Sequence, residues 1–163
     1  MIFKYLNKNL IISLIFLAII FLLDRVSKEY IIYLNDKNYS SEIFLSSFLN
    51  LVLVWNEGIA FGLLSFENKM FYNVITILIS IIIIILLYLV SKTERLKKYS
   101  YILVSGGALG NLFDRIVYKS VPDFIDLHYN GFHWFVFNIA DIFITLGIIC
   151  LIYDEVFLEK EGE

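Results

Sequence analysis

The chain has 163 residues, 60% of them hydrophobic, with a mean hydropathy of +0.79. That composition excludes an ordinary water-soluble domain and makes a membrane protein the starting class. Sixteen acids against thirteen bases give a formal net charge of −3 with no basic tract, which excludes nucleic acid as a partner.

Residues 9 to 23 form an uncharged run of fifteen, short of the ~20 that a helix needs to cross the hydrocarbon core. Flanking residues that snorkel or face protein lengthen it to a first span at about 9–28. Lys4 and Lys8 ahead of an apolar core also fit a cleaved signal peptide. No small-residue cleavage site follows, however, and the chain runs on into Asp24, Arg25 and Lys28, so a retained span fits better. Asp24 and Lys28 stand four apart at the outer end of this helix, where pairing lowers the cost of each charge; their expected role is a structural salt bridge.

After the first span, residues 49 to 55, then Asn56-Glu57-Gly58, then residues 59 to 64 read as strand, turn and strand. This predicts a small hairpin on the outer face, apolar enough to rest on the bilayer or on a substrate. Residues 70 to 91 are free of charge between Lys69 and Lys92 and give the clearest span, at 69–91. The uncharged run 99 to 113 predicts a third, at 99–117. Within it, Gly106 and Gly110 have the GxxxG spacing that permits a close helix contact. Asn111, Asp114 and Arg115 follow directly, and Arg115 near a membrane edge implies a carboxylate or backbone oxygen beside it. Pro122, the only proline, biases Val121 towards extended backbone and predicts a turn that aims Asp123. Taken alone, Asp123 beside Asp126 is an ordinary loop aspartate.

The fourth span is predicted at 134–155. It carries one carboxylate, Asp141, which seven residues of helix would put roughly 10 Å below Trp134. Asn138 and Thr145, at i−3 and i+4, would share its face. Cys150 has no partner in the chain and reads as a packing residue. Four spans put both termini on one side. Lys4, Lys8 and the cluster Lys92, Arg95, Lys97 and Lys98 make that side cytoplasmic. Without repeats or linkers, residues 1–163 form one domain: an α-helical membrane protein of four transmembrane helices with a small outer-face β-hairpin or cradle.

A charge inside a span usually has a functional or pairing reason. Asp123 and Asp141, eighteen apart, can meet if the connection folds back over the bundle. Two carboxylates in a poorly hydrated site share one proton, an arrangement suited to general acid–base attack by water on a carbonyl. Other chemistries fit less well. His128 and His133 are five apart with no acid in ligand spacing, so no metal is expected. Ser105 would lie deeper than either histidine, which counts against a serine dyad. A proton-coupled transporter would use Asp141 as carrier but usually shows inverted repeats or broken helices, neither of which is evident in the sequence. A non-catalytic assembly factor leaves Asp141 unexplained.

In order along the chain come Asp24-x-x-Ser27-Lys28, then Asn56-x-Gly58-x-Ala60-Phe61-Gly62, then GGALGNLFDR from Gly106 to Arg115, then Asp123-Phe124, then FNIAD from Phe137 to Asp141. This series resembles the lipoprotein signal peptidases, or signal peptidase II, over nearly the whole chain. The resemblance implies a bacterial cytoplasmic (inner) membrane endopeptidase without cofactor or metal, its active site near the outer face and its catalytic aspartates at Asp123 and Asp141. It further implies that Asn56, Gly58, Asn111, Arg115 and Asn138 line or brace the site, with Asp24, Lys28 and Asp114 structural. The implied partners are membrane lipid and a diacylglyceryl-modified prolipoprotein, cut before its lipidated cysteine, with globomycin as inhibitor. Pro122 departs from the aliphatic residue more usual before that aspartate.

Overall fold

A computed structural model describes residues 8–37, 42–58 and 69–158. Among the described residues, four α-helices and four strands alternate in blocks: α1 (Lys8–Asp36), β1 (Glu42–Ser46), β2 (Leu49–Asn56), α2 (Lys69–Lys92), α3 (Arg95–Val117), β3 (Val121–Tyr129), β4 (Phe132–Phe137) and α4 (Ile139–Tyr153). A π-helical turn, Asp154–Leu158, continues the last helix. Helices α2 and α3 lie close to the second and third predicted spans, α1 runs on past its predicted end to Asp36, and α4 starts later than predicted. Two stretches, Lys8–Asp36 and Tyr72–Lys92, are long and apolar enough to cross a membrane.

The outer surface of the helices is greasy and the interior is polar, the reverse of a soluble bundle. Leu14, Leu22, Ile84, Ile85, Ile148 and Ile152 are exposed, whereas Asp24, Lys28, Asp114 and Asn138 are fully buried. Apolar cover of this extent needs lipid or another apolar phase against it.

Helix α3 is the central element, and glycines let its neighbours come near. A Cβ on Gly106 would sit 2.8 Å from Ile20 of α1, and one on Gly110 would meet the Asp24 carboxylate, so the GxxxG pair does serve a close contact. Gly107 does the same towards α4, where a Cβ would meet the Ala140 carbonyl. Gly147 of α4 reciprocates against Val104 and the Ser100 carbonyl of α3. Leu17, Ile20, Val90 and Ile102 close the apolar part of the core.

The sheet corrects three expectations. The strand predicted at 49 to 55 exists as β2, but it pairs antiparallel with β1 and with β3 in a four-stranded sheet ordered β1-β2-β3-β4. The returning strand expected at 59 to 64 lies outside the described residues. Asp123 belongs to strand β3, opposite Val54, and not to a turn. Pro122 is the second residue of that strand, beyond the reach of β4, whose pairing ends at Ile125–Phe137; an edge of this kind tolerates proline.

The third correction concerns the fourth helix. Residues 132 to 137 are strand β4, and the helix starts only at Ile139. Asn130 (φ 49°) and Gly131 (φ 78°) form a two-residue connection between Tyr129 and Phe132 with both φ positive, the conformation an Asn-Gly hairpin favours. Apolar content alone made the aromatic run FHWFVF look like membrane helix. Asn138 then stops the strand and opens the helix: its backbone is extended and its side chain accepts from Asp141 N, while the Asp141 side chain accepts from Asn138 N. Asp141 is therefore in the first helical turn and not two turns below the surface.

Candidate functional site

The candidate site forms where the sheet meets α1, α3 and α4. Asp123 is almost wholly buried, and both its oxygens accept from amides: Oδ2 from Asn56 Nδ2 at 2.9 Å and Oδ1 from Asn138 Nδ2 at 2.6 Å. Asp141 is half-buried. Its Oδ1 accepts from Asn111 Nδ2 at 2.8 Å and its Oδ2 from the Asn138 backbone N–H at 3.1 Å. Asn138 thus touches both carboxyl groups, one through its side chain and one through its backbone. Its amide also donates to Asn111 Oδ1 at 3.2 Å, so the three amides link the two acids in one network.

The environment of Asp123 disfavours its charge. Burial, followed by repulsion from Asp141, pushes its carboxyl up to about 7 against the opposing pull of the Asn56 and Asn138 amides. A group so displaced, inside a cavity and beside a second acid, has the environment of a proton-transfer residue.

Behind the amides lies a buried ionic cluster. Lys28 Nζ donates to Asp24 at 2.9 Å, to Asp114 Oδ2 at 2.7 Å and to Asn111 Oδ1 at 2.8 Å, which uses all three of its protons. Arg25 lies 2.6 Å from Asp114 and 3.2 Å from Asp24, so two cations balance two anions. Asp24 Oδ1 also accepts from Ala140 N at 3.0 Å, next to Asp141. The expected Asp24–Lys28 salt bridge is present, but in the middle of α1 and at the centre of the bundle.

Arg115 finds the backbone oxygen that its position implied: Nη2 donates to the Gly58 carbonyl at 2.6 Å. Gly58 N in turn donates to Asn56 Oδ1 at 2.9 Å, so the Asn56-Glu57-Gly58 turn is held at both ends. Tyr72 of α2 supports this corner; its hydroxyl donates to the Arg115 carbonyl at 3.3 Å and its ring lies under the guanidinium. The sequence reading overlooked Tyr72, whose position on an apolar helix gives no local signal.

A cavity of about 370 Å³ opens between α2, α3, α4 and the sheet, with Asp123, Asp141, Asn56, Asn111, Asn138 and Arg115 at its polar end and Ile79, Ile83, Ile144 and Ile148 along its walls. A second, also about 370 Å³, lies on the other side of α4, lined by Leu127, Trp134, Phe135, Phe137 and Leu146. Asp141 and Thr145 border both. A polar end on an otherwise greasy trough suits an apolar ligand with one reactive polar bond.

The hairpin also revises the expectation about metal ligands. His128 and His133 face each other across β3 and β4, and Asp126 stands two residues along on the same strand as His128. Their donor atoms lie within 4.8 Å of one another. The acid comes from the i, i+2 spacing of Asp126 and His128 along β3, and strand register brings His133 to them; the Asn130-Gly131 turn was the signal that could have revealed this.

Comparison with known proteins agrees with this architecture. Residues 16–157 match the family described as Signal peptidase (SPase) II. A lipoprotein signal peptidase of Pelagibacter ubique (strain HTCC1062) is 50% identical over 154 residues, 94% of this chain and 93% of that one. One from Anaplasma marginale (strain Florida) is 40% identical over 152 residues, 91% and 86% of the two chains. Two solved structures, each described as a bacterial membrane enzyme, superpose with TM-scores of 0.70 and 0.71 at 30% and 31% identity; they cover 88% and 89% of this chain and 89% and 92% of theirs. A family match over most of its length, and a relative half identical across nearly both chains, establish that this membrane-embedded chain belongs to the signal peptidase II family.

Proposed function

We propose that the protein is an intramembrane aspartic endopeptidase that removes the signal peptide from diacylglyceryl-modified prolipoproteins, cutting before the lipidated cysteine. The observation that carries this reading is the network in which Asn138 contacts both Asp123 and Asp141 at the polar end of a greasy cavity. The pair shares one proton. Its ionised member takes a proton from the attacking water while the protonated member donates to the developing oxyanion. The upward displacement of Asp123 to about 7, from burial and from repulsion by Asp141, supports retention of one proton by the pair near neutral pH.

In this reading all four helices cross the bacterial cytoplasmic (inner) membrane, both termini are cytoplasmic, and the sheet lies at the outer surface. The clusters around Lys92 and Lys98, at the opposite end from the sheet, support that orientation. Membrane lipid surrounds the bundle and the substrate reaches the acid pair sideways within the bilayer. Globomycin is the expected inhibitor, and no cofactor takes part in the hydrolysis.

The test is cleavage of lipid-modified prolipoprotein by the purified protein in detergent, followed on a gel. Wild type cuts it, while Asp123→Asn and Asp141→Asn, still folded, do not; unmodified precursor is cut poorly. Full activity in either variant would remove the acid pair from the mechanism, and full activity in a large excess of globomycin would count against the family's substrate mode.

A further inference from the structure

We propose that Asp126, His128 and His133 form a site for a borderline divalent cation of the Zn²⁺ type, on the β3–β4 hairpin and separate from the acid pair. His128 and His133 are directly opposed across the strands, their rings stacked 5.0 Å apart and 21° from parallel. Both direct Nδ1 at the same oxygen, Asp126 Oδ2, at 2.8 Å for His133 and 3.9 Å for His128. The shorter contact is a hydrogen bond, whereas the longer one, from His128, is beyond hydrogen-bond reach. His128 Nδ1 and Asp126 Oδ1 are enclosed and have no hydrogen-bond partner among the described residues, and Asp126 is only 4% exposed. Leaving buried polar atoms unmatched is costly, and a cation between the three side chains removes that cost at once.

Two imidazoles and a carboxylate are the donor set that Zn²⁺ and its neighbours prefer, with further positions left for water. Metal–donor bonds of roughly 2.0–2.2 Å put tetrahedral donors about 3.4 Å apart. The Nδ1–Oδ2 separations of 2.8 Å and 3.9 Å lie on either side of that value, and the three donor atoms are within 4.8 Å of one another. His133, whose side chain is 54% exposed, has the room to close the difference by ring rotation. The bound ion would join β3 to β4 three residues along from Asp123 and five before Asn138, and so fix the hairpin from which both residues project.

The experiment uses the full chain, purified in detergent without a histidine tag and stripped with a chelator. It is titrated with Zn²⁺ by calorimetry and with Co²⁺ by visible absorbance. One Zn²⁺ per chain is expected, together with d–d bands of low-coordinate Co²⁺ that Zn²⁺ displaces. Each of Asp126→Asn, His128→Ala and His133→Ala should weaken binding at least about tenfold, the scale on which metal sites respond even to loss of supporting groups. His133→Ala removes a largely exposed ring, so its fold is expected to be intact, and a far-UV circular dichroism spectrum and melt matching metal-free wild type check that. Absence of saturable binding in the wild type, or binding unchanged in folded His133→Ala, overturns the proposal.

Discussion

The side-chain amide of Asn138 lies 2.6 Å from the carboxylate of Asp123, while the same residue caps the helix that carries Asp141. One residue therefore both starts α4 and contacts the two acids, Asp123 through its side chain and Asp141 through its backbone N–H. Asn138→Ala should lose the cap, at about 1 kcal/mol, and also the alignment of the pair, lowering kcat on the order of a hundredfold, the scale of a misplaced catalytic group. Asn138→Ser keeps a capping oxygen without the amide donor, so it should recover thermal stability but not activity. Equal recovery of both would mean that Asn138 acts only as a cap.

The buried cluster behind the amides predicts a stability effect. Lys28→Met leaves Asp24 and Asp114 short of one cation in a water-poor interior, and loss of one partner from such a pair costs about 3–5 kcal/mol. The double variant Lys28→Met/Asp114→Asn restores charge balance between Arg25 and Asp24 and should be more stable than Lys28→Met alone. Denaturant or SDS titration of the detergent-solubilised proteins measures both. A double variant less stable than either single one would show that Asp114 has a role beyond neutralising Lys28.

The parts of this arrangement that are local along a helix were readable from the residues. Asp24 and Lys28 pair at i, i+4, and Gly106 and Gly110 meet α1, because helical geometry fixes both outcomes within a few residues. The sheet was less accessible. β2 pairs with β3 some seventy residues on, a relation that no local pattern encodes, and apolar aromatic strand β4 has the composition of a membrane helix. The consequence is concrete: Asn138 and Asp141 were recognisable as unusual polar residues of a greasy segment, but their relation as cap and first-turn acid required knowing where the strand ended. Asp126, His128 and His133 depended on the same missing hairpin register.

Proton sharing predicts the pH profile. The Asp123 carboxyl, ordinarily near 3.8, titrates at about 7 in the fold, so the native state holds more protons than the unfolded chain between those values. Its contribution to stability is thus fully present below the ordinary carboxylate range and is lost as pH rises through about 7. kcat/KM should fall on the alkaline side with an apparent value near 7 that belongs to the pair. Asn56→Asp keeps the oxygen that receives Gly58 N–H but replaces the donor to Asp123 with a negative charge. Both changes favour the protonated acid, so the alkaline limb should move to higher pH. A shift to lower pH would contradict the role given to Asn56.

Two glycines separate packing from conformation. A Cβ at Gly107 would meet the Ala140 carbonyl and lie 2.9 Å from Ile144, so Gly107→Ala must push the start of α4 away from α3. Overpacking of this kind costs about 1–3 kcal/mol. Here it also moves Ala140, whose N–H is held by Asp24, and with it Asp141 next in sequence. Activity should therefore fall by more than the fraction unfolded explains. Gly131 has a positive φ of 78° and open space around its Cβ position, so Gly131→Ala strains only its own backbone, at about 1–2 kcal/mol. It lies at the tip of the hairpin, and its activity per folded molecule should equal that of wild type. Circular dichroism melts paired with cleavage rates measure the two effects separately. If Gly107→Ala were as active per folded molecule as Gly131→Ala, the spacing of α3 and α4 would not be what positions Asp141.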